Sequence, residues 1–165
     1  MIYSFRQTPF GEIGIGVDGD NAVTHLFMLG VKPEAGEGKE GDSALIREAF
    51  SQLEAYFAGR LFLFDLPLEP QGTPFMRSVW NELCKIPYGK TVSYRDIARA
   101  INVPGGSRAV GNANGRNPIP IIIPCHRVIA SDGTLGGYSL GLDCKRKLLS
   151  LEQCDPYPRC TRQIK

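Results

Sequence analysis

Residues 93–115 read "SYRDIARAINVPGGSRAVGNANG", and the architecture of the second half of the chain depends on how they fold. Ser93 and Asp96 have the spacing of a capping box, in which side chain and backbone satisfy each other at a helix start. Ile97, Ala98 and Ile101 follow at helical spacing and predict an inward face. "NVPGG" turns the chain, and "SRAVGNANG" predicts a second short helix ending at Gly115. Two short helices joined by a glycine-containing turn in a basic region point to a helix-turn-helix, with a plain helical packing unit as the alternative. The second helix is built of small residues, Gly106, Ser107, Ala109, Gly111 and Ala113, around Arg108 as its one long side chain. Such a helix can lie tight against a surface and insert a single arginine, as minor-groove binders do, or it can pack tightly on another helix.

Upstream, "GTPFMRSVWNELCKI" (72–86) predicts another helix, with Thr73 as N-cap, Pro74 at the first helical position and Val79, Leu83 and Ile86 as its apolar stripe. The first seventy residues have a different texture. "IYSF", "EIGIGV" and "AVTHLFML" read as short strands separated by Gly and Asp turns. "KPEAGEGKEGDS" (32–43) reads as an exposed loop. In "SALIREAFSQLEAYFAGR" (43–60), Leu45, Ile46, Ala49, Phe50, Leu53, Tyr56 and Phe57 recur at helical spacing, with Gly59 as a C-terminal stop. "LFLFDLPL" (61–68) reads as one more strand and "EPQG" as a linker. The expected fold class is α/β, of the α+β kind. Residues 1–70 form a small sheet-plus-helix domain, packed on a mostly helical domain of residues 71–165 that contains the helix-turn-helix.

Charge is distributed unevenly. Residues 1–70 hold five Lys/Arg against eleven Asp/Glu, a net of −6, whereas residues 84–127 hold seven Lys/Arg against Asp96 alone, a net of +6. One region therefore suits a polyanion and the other does not, although a solvated basic face has the same composition. Hydrophobic residues make up 42% of the 165 and charged residues 22%, ordinary globular usage. No run approaches the ~18 apolar residues of a membrane span, and the N-terminus lacks the apolar core of a signal peptide, so a cytoplasmic location is expected. The five cysteines are an odd set without a C-x-x-C pair, which favours reduced thiols, with Cys154 and Cys160 as spectators. His25 and His126 are the only histidines, too few for a ligand-spaced zinc cluster. No metal or cofactor is expected.

The chemistry concentrates in "PIPIIIPCHRVI" (118–129), where a thiol, an imidazole and a guanidinium follow a run suited to burial. A free cysteine, with a pKa near 8.5, is only a few per cent thiolate at neutral pH, and apolar burial alone makes it inert. Reactivity at Cys125 therefore requires a base or cation, and His126 and Arg127 are nearest in sequence. Neighbours on a regular strand point to opposite faces, so a Cys125–His126 dyad needs a turn or a bridging water there. A histidine base also needs an orienting acceptor, which spacing alone does not identify. A buried structural cysteine beside a satisfied histidine fits the pattern as well.

"IPCHRVI" and "GGYSLGLDCKRKLLSLE", together with "FMRSVWNELCKIPYGKTVSYRDIA" and "SRAVGNANGRNPIPI", resemble the O6-alkylguanine-DNA alkyltransferases over roughly residues 72–152. The resemblance implies a DNA-repair protein that flips O6-alkylguanine out of duplex DNA, with O4-alkylthymine as an alternative substrate. It would transfer the alkyl group to its own cysteine once, as a monomer without cofactor. It implies Cys125 as acceptor, His126 as its base through a water, Glu152 as the group orienting the imidazole, and Asn117 as a brace of the active-site loop. Tyr94 would protonate the departing guanine and press on the target phosphate. Arg108 would fill the vacated stack from a DNA-facing surface shared with Tyr94, Ser107, Ala109 and Gly111. Val128, Tyr138 and Ser139 would border the base pocket. Leu140 departs from the glycine or large aromatic frequent at that position in the family. The rival readings are a non-catalytic lesion binder, a cysteine hydrolase and a sequence-specific regulator.

Overall fold

Strict alternation in Gly11–Asp18 organises the first of the two units into which the chain divides, Met1–Gln71 and Gly72–Lys165. The computed structural model describes residues 1–153, so Cys154 and Cys160 lie outside the described residues. Strand β1 (Ile2–Thr8) pairs antiparallel with β2 (Gly11–Asp18), and β2 pairs antiparallel with β3 (Ala22–Met28) through a bulge at Gly16/Val17. Ile13, Ile15 and Val17 are wholly buried on one face of β2. Gly14 and Gly16 lie between them on the other face, where a side chain on Gly14 would collide with the Phe5 ring. Helix α1 (Ala44–Phe57) starts on the Ser43 cap and buries Leu45, Ile46, Ala49, Phe50, Leu53 and Tyr56, packing against β1, β2 and β3. Phe57 is only partly covered and stacks on Phe10.

Two expectations for this unit need correction. The loop at 32–43 contributes a two-residue strand, β4 (Lys39–Glu40), parallel to β1, giving the sheet order β3-β2-β1-β4. The segment "LFLFDLPL" is not a strand. It makes one bridge, Val23 to Leu68, and is otherwise irregular. Gln52 accepts from the Asp65 N–H and donates to the Asp65 oxygen, taking the place of a ladder partner. Pro67 has no N–H to offer, and its oxygen accepts from Val23.

In the second unit the helix signals hold. Helix α2 (Pro74–Leu83) starts on Thr73 with Pro74 in its first turn, and buries Val79, Trp80 and Leu83. A two-residue strand β5 (Val92–Ser93) leads into α3 (Tyr94–Ala100), whose capping box between Ser93 and Asp96 is complete. The turn at 101–106 then leads to α4 (Ser107–Gly115). The Trp80 indole N–H donates to the Ala113 oxygen at 2.9 Å, fastening α2 to α4. Strand β6 (Val128–Ile129) pairs parallel with β5, Val92 opposite Val128 and Ser93 opposite Ile129. This short pairing sets Tyr94, the first residue of α3, beside the segment that carries Cys125. The final helix, α5 (Leu142–Gln153), buries Lys145, Leu148, Leu149 and Glu152, an apolar stripe with a charge at each end.

Candidate active site

The run 118–127 is a stapled loop and not a strand. The Asn117 amide donates to the Ile123 oxygen at 2.8 Å and accepts from the Ile119 N–H at 3.0 Å. Ile119 and Ile123 are joined again through the backbone. Between them Ile121 has φ +73, a left-handed value costly for a β-branched residue, held because the surrounding bonds over-determine it. The apolar side chains 119–123 are buried beneath the loop. The chain then enters a single 3₁₀ turn, Cys125–Arg127. That turn removes the strand alternation which would have pointed Cys125 and His126 in opposite directions.

His126 is fully buried, and its Nε2 lies 2.8 Å from Glu152 Oε1. Arg127 donates to both oxygens of the same carboxylate and to the Ile86 oxygen, and lies over the Tyr88 ring. The Gly89 N–H also reaches Glu152, at 3.3 Å. Burial alone would raise the Glu152 pKa, but His126 and Arg127 together hold it down at about 2. Burial pushes His126 below its ordinary value, against the pull of Glu152, so the imidazole rests neutral.

The Cys125 thiol is 2% exposed and lies 3.9 Å from the Tyr138 hydroxyl. Burial pushes its pKa up, while hydrogen bonding from Asn117 and Tyr138 and the charge of Lys145 act in the opposite direction. Lys145 has no exposed surface and donates to the main-chain oxygens of Val128 (2.7 Å), Leu135 (2.5 Å) and Gly137 (3.3 Å). Burial brings its pKa down to about 8. Tyr94 donates to the Gly137 oxygen at 3.4 Å, and burial raises its pKa.

A cavity of about 560 Å³ opens between α4 and the loop 130–139, lined among others by Tyr94, Ser107, Arg108, Asn114, Tyr138 and Ser139. Gly111 also borders it. Two of the residues expected from sequence do not line the cavity. Ala109 is exposed on α4 away from the cavity, because α4 turns it off the face shared by Ser107, Arg108 and Gly111. Val128 is fully buried in β6 behind the wall. Cys125 is not among the lining residues, but its sulfur lies 3.9 Å from the hydroxyl of Tyr138 and its main-chain oxygen accepts from Asn114, both of which line the cavity.

Three residues of the site were not singled out from sequence, Tyr88, Lys145 and Asn114, and Arg127, weighed there as a cation for Cys125, is instead the partner of Glu152. Lys145 carried a legible signal, since it occupies a position in phase with the buried Leu148, Leu149 and Glu152 of α5. The contact of Asn114 with the Cys125 oxygen depends on the fold and has no local signature. Among the described residues, no group of His, Cys, Asp and Glu is placed to hold a metal ion.

The family model for the DNA binding domain of 6-O-methylguanine DNA methyltransferase matches residues 74–154, and that for its ribonuclease-like domain matches residues 1–70. A methylated-DNA–protein-cysteine methyltransferase of Methanosarcina barkeri is 50% identical over 155 residues, 93% of this chain and 98% of its own. The protein of the same name from Mycolicibacterium paratuberculosis is 56% identical over 92% of both chains. The crystal structure of Mycobacterium tuberculosis OGT in complex with DNA superposes with a TM-score of 0.87, at 44% identity over 93% of each chain.

Proposed function

The chain belongs to the 6-O-methylguanine DNA methyltransferase family, and from that premise we propose that Cys125 takes the alkyl group from O6-alkylguanine in duplex DNA. The protein is a methylated-DNA–protein-cysteine methyltransferase that repairs DNA by alkyl transfer. We assign DNA contact and chemistry to residues 71–165. One observation carries the residue assignment: the buried His126, on the same 3₁₀ turn as Cys125, meets Glu152 of α5 at 2.8 Å, beside a cavity that Arg108 and Tyr94 line.

The geometry supports the following steps. A guanine O6 inside a duplex is out of reach, so the nucleotide is extruded, at a cost of a few kcal/mol that weakened pairing of the adduct lowers. Arg108, exposed on the cavity rim, fills the vacated stack. The neutral His126 takes the Cys125 proton, by way of a water, on Nδ1, because Nε2 is committed to the Glu152 carboxylate. The ionised Glu152 stabilises the imidazolium that forms. The thiolate attacks the alkyl carbon in line, forming the S–C bond as the C–O6 bond breaks. Tyr94, kept protonated by its raised pKa, delivers a proton to the departing guanine. The product is a neutral thioether with no good leaving group, so each chain reacts once. Reduced thiols at Cys84, Cys125 and Cys144 accord with action in the cytoplasm.

Intact-mass measurement after incubation with duplex DNA containing O6-methylguanine tests this reading. It requires a gain of one methylene per chain, saturating at one equivalent and absent in Cys125→Ala. An unchanged mass with lesion DNA bound would leave only a lesion binder.

A further inference from the structure

The turn "IPYG" at 86–89 carries no nucleophile, acid or base for the reaction, yet three of its residues hold the Glu152–Arg127 pair. The Ile86 oxygen accepts from Arg127 Nη1 at 2.6 Å, and the Gly89 N–H donates to Glu152 Oε2 at 3.3 Å. Gly89 reaches that place at φ +73, a left-handed value that glycine adopts without strain. Tyr88 stands between them and makes two further ties. The Arg127 Cζ lies over its ring, 5.8 Å from the centroid and within cation–π range. Its hydroxyl donates to the Leu151 oxygen at 3.2 Å, pinning α5 one residue before Glu152. The hydroxyl thus fixes the backbone that carries the carboxylate, and the ring fixes the guanidinium that grips it.

What these ties protect is the place of one proton. Glu152 Oε1 lies 2.8 Å from His126 Nε2 and 2.9 Å from Arg127 Nη2. While the carboxylate stays there, the neutral imidazole keeps its proton on Nε2 and Nδ1 remains the acceptor. A carboxylate displaced by about 1 Å no longer fixes that choice. The imidazole can then carry its proton on Nδ1, the nitrogen that has to receive one from the thiol. Resting on the alkyl-transfer reading above, we propose that Tyr88 is a positioning residue for the reaction. Acting through Arg127 and Leu151, it holds Glu152 in register with His126 and so sets the imidazole tautomer.

The test reads the tautomer and the rate together. The chain has two histidines, and His25 belongs to the other unit, so nitrogen-15 NMR of the histidine rings reads His126 with His25 as its reference. The full-length wild-type protein should show His126 as a single Nε2–H tautomer. Tyr88→Leu should mix in the Nδ1–H form. It should also slow single-turnover methyl transfer at saturating O6-methylguanine duplex by about ten-fold or more, with affinity for undamaged duplex unchanged. Tyr88→Phe, which keeps the ring over Arg127, should recover part of both. On a Glu152→Gln background Tyr88→Leu should cost nothing further, since its effect passes through the carboxylate. A wild-type rate in Tyr88→Leu, or a slowed rate with an unchanged His126 spectrum, would overturn the proposal. Full additivity with Glu152→Gln would overturn it too. If Tyr88→Leu shows no cooperative melting, Tyr88→Phe alone and with Glu152→Gln is read in the same way. The spectra need no DNA, so a wild-type protein that transfers no methyl group would sink the alkyl-transfer reading, while an unchanged tautomer would sink only the role of Tyr88.

Discussion

Arg127 grips Glu152 by two parallel bonds, Nε to Oε2 at 3.0 Å and Nη2 to Oε1 at 2.9 Å, with under a tenth of either side chain exposed. The same Oε1 meets His126 Nε2. A single carboxylate therefore neutralises one permanent cation and waits for a second, transient one on the imidazole. With Arg127 in place, Glu152 stays ionised before His126 is ever protonated, as the proposed orienting role requires.

Removing Arg127 leaves a buried carboxylate short of its main counter-charge. Arg127→Met should destabilise the protein by about 3–5 kcal/mol, the usual result of breaking a buried pair from one side. Urea unfolding should show a lower midpoint with an unchanged slope. A loss under about 1 kcal/mol would mean that Glu152 is adequately held by His126 and the Gly89 N–H.

The acid limb of stability follows from the same pair. Glu152 titrates at about 2 in the folded protein against 4.5 ordinarily. A carboxylate depressed by folding stabilises above its unfolded pKa, and that contribution is lost as pH falls from about 4.5 towards 2. At about 1.4 kcal/mol per pH unit this amounts to roughly 3 kcal/mol. His126, also lowered by folding, adds a loss of the same sign beginning below 6.5. Denaturant midpoints measured from pH 7 to pH 3 should fall, and Glu152→Gln should flatten the part below 4.5.

The role proposed for Arg108 allows flipping to be separated from chemistry. It is exposed on the cavity rim and makes no contact with the buried Cys125–His126–Glu152 group. Arg108→Ala should slow transfer from duplex DNA by at least about ten-fold more than transfer from the free modified base, since unstacking costs a few kcal/mol only in the duplex. Equal losses on both substrates would remove it from that role.

Lys145 holds the loop that walls the pocket. Its ammonium ties the Leu135 and Gly137 oxygens of that loop to Val128 of β6 and stands near the Tyr138 ring. Lys145→Met should slow methyl transfer by about ten-fold or more, as loosely held reacting groups do, while gel-shift affinity for undamaged duplex DNA stays unchanged. Equal losses of affinity and rate would point to collapse of α4 and not of the loop.

Much of this architecture was local and so readable in advance. The capping box at Ser93 and Asp96, the Thr73–Pro74 helix start and the alternation of Ile13, Ile15 and Val17 are each set by residues a few positions apart. Segment 61–68 misled because strand-like composition is not a strand until a neighbour supplies a ladder, and here Gln52 and Pro67 displaced one.

Residue chemistry alone placed a nucleophile, an imidazole and a lone arginine in the same half of the chain, because those properties belong to single side chains and short motifs. Only the tertiary structure decided that Cys125 and His126 leave a strand for a 3₁₀ turn and that Glu152 is divided between His126 and Arg127. It also decided that the sulfur rests against the Tyr138 hydroxyl and that Asn114 holds the Cys125 main-chain oxygen. Those outcomes join residues from 11 to 26 positions apart. Burial and charge pairing act through space, and no local periodicity encodes which distant side chain will share a dry pocket.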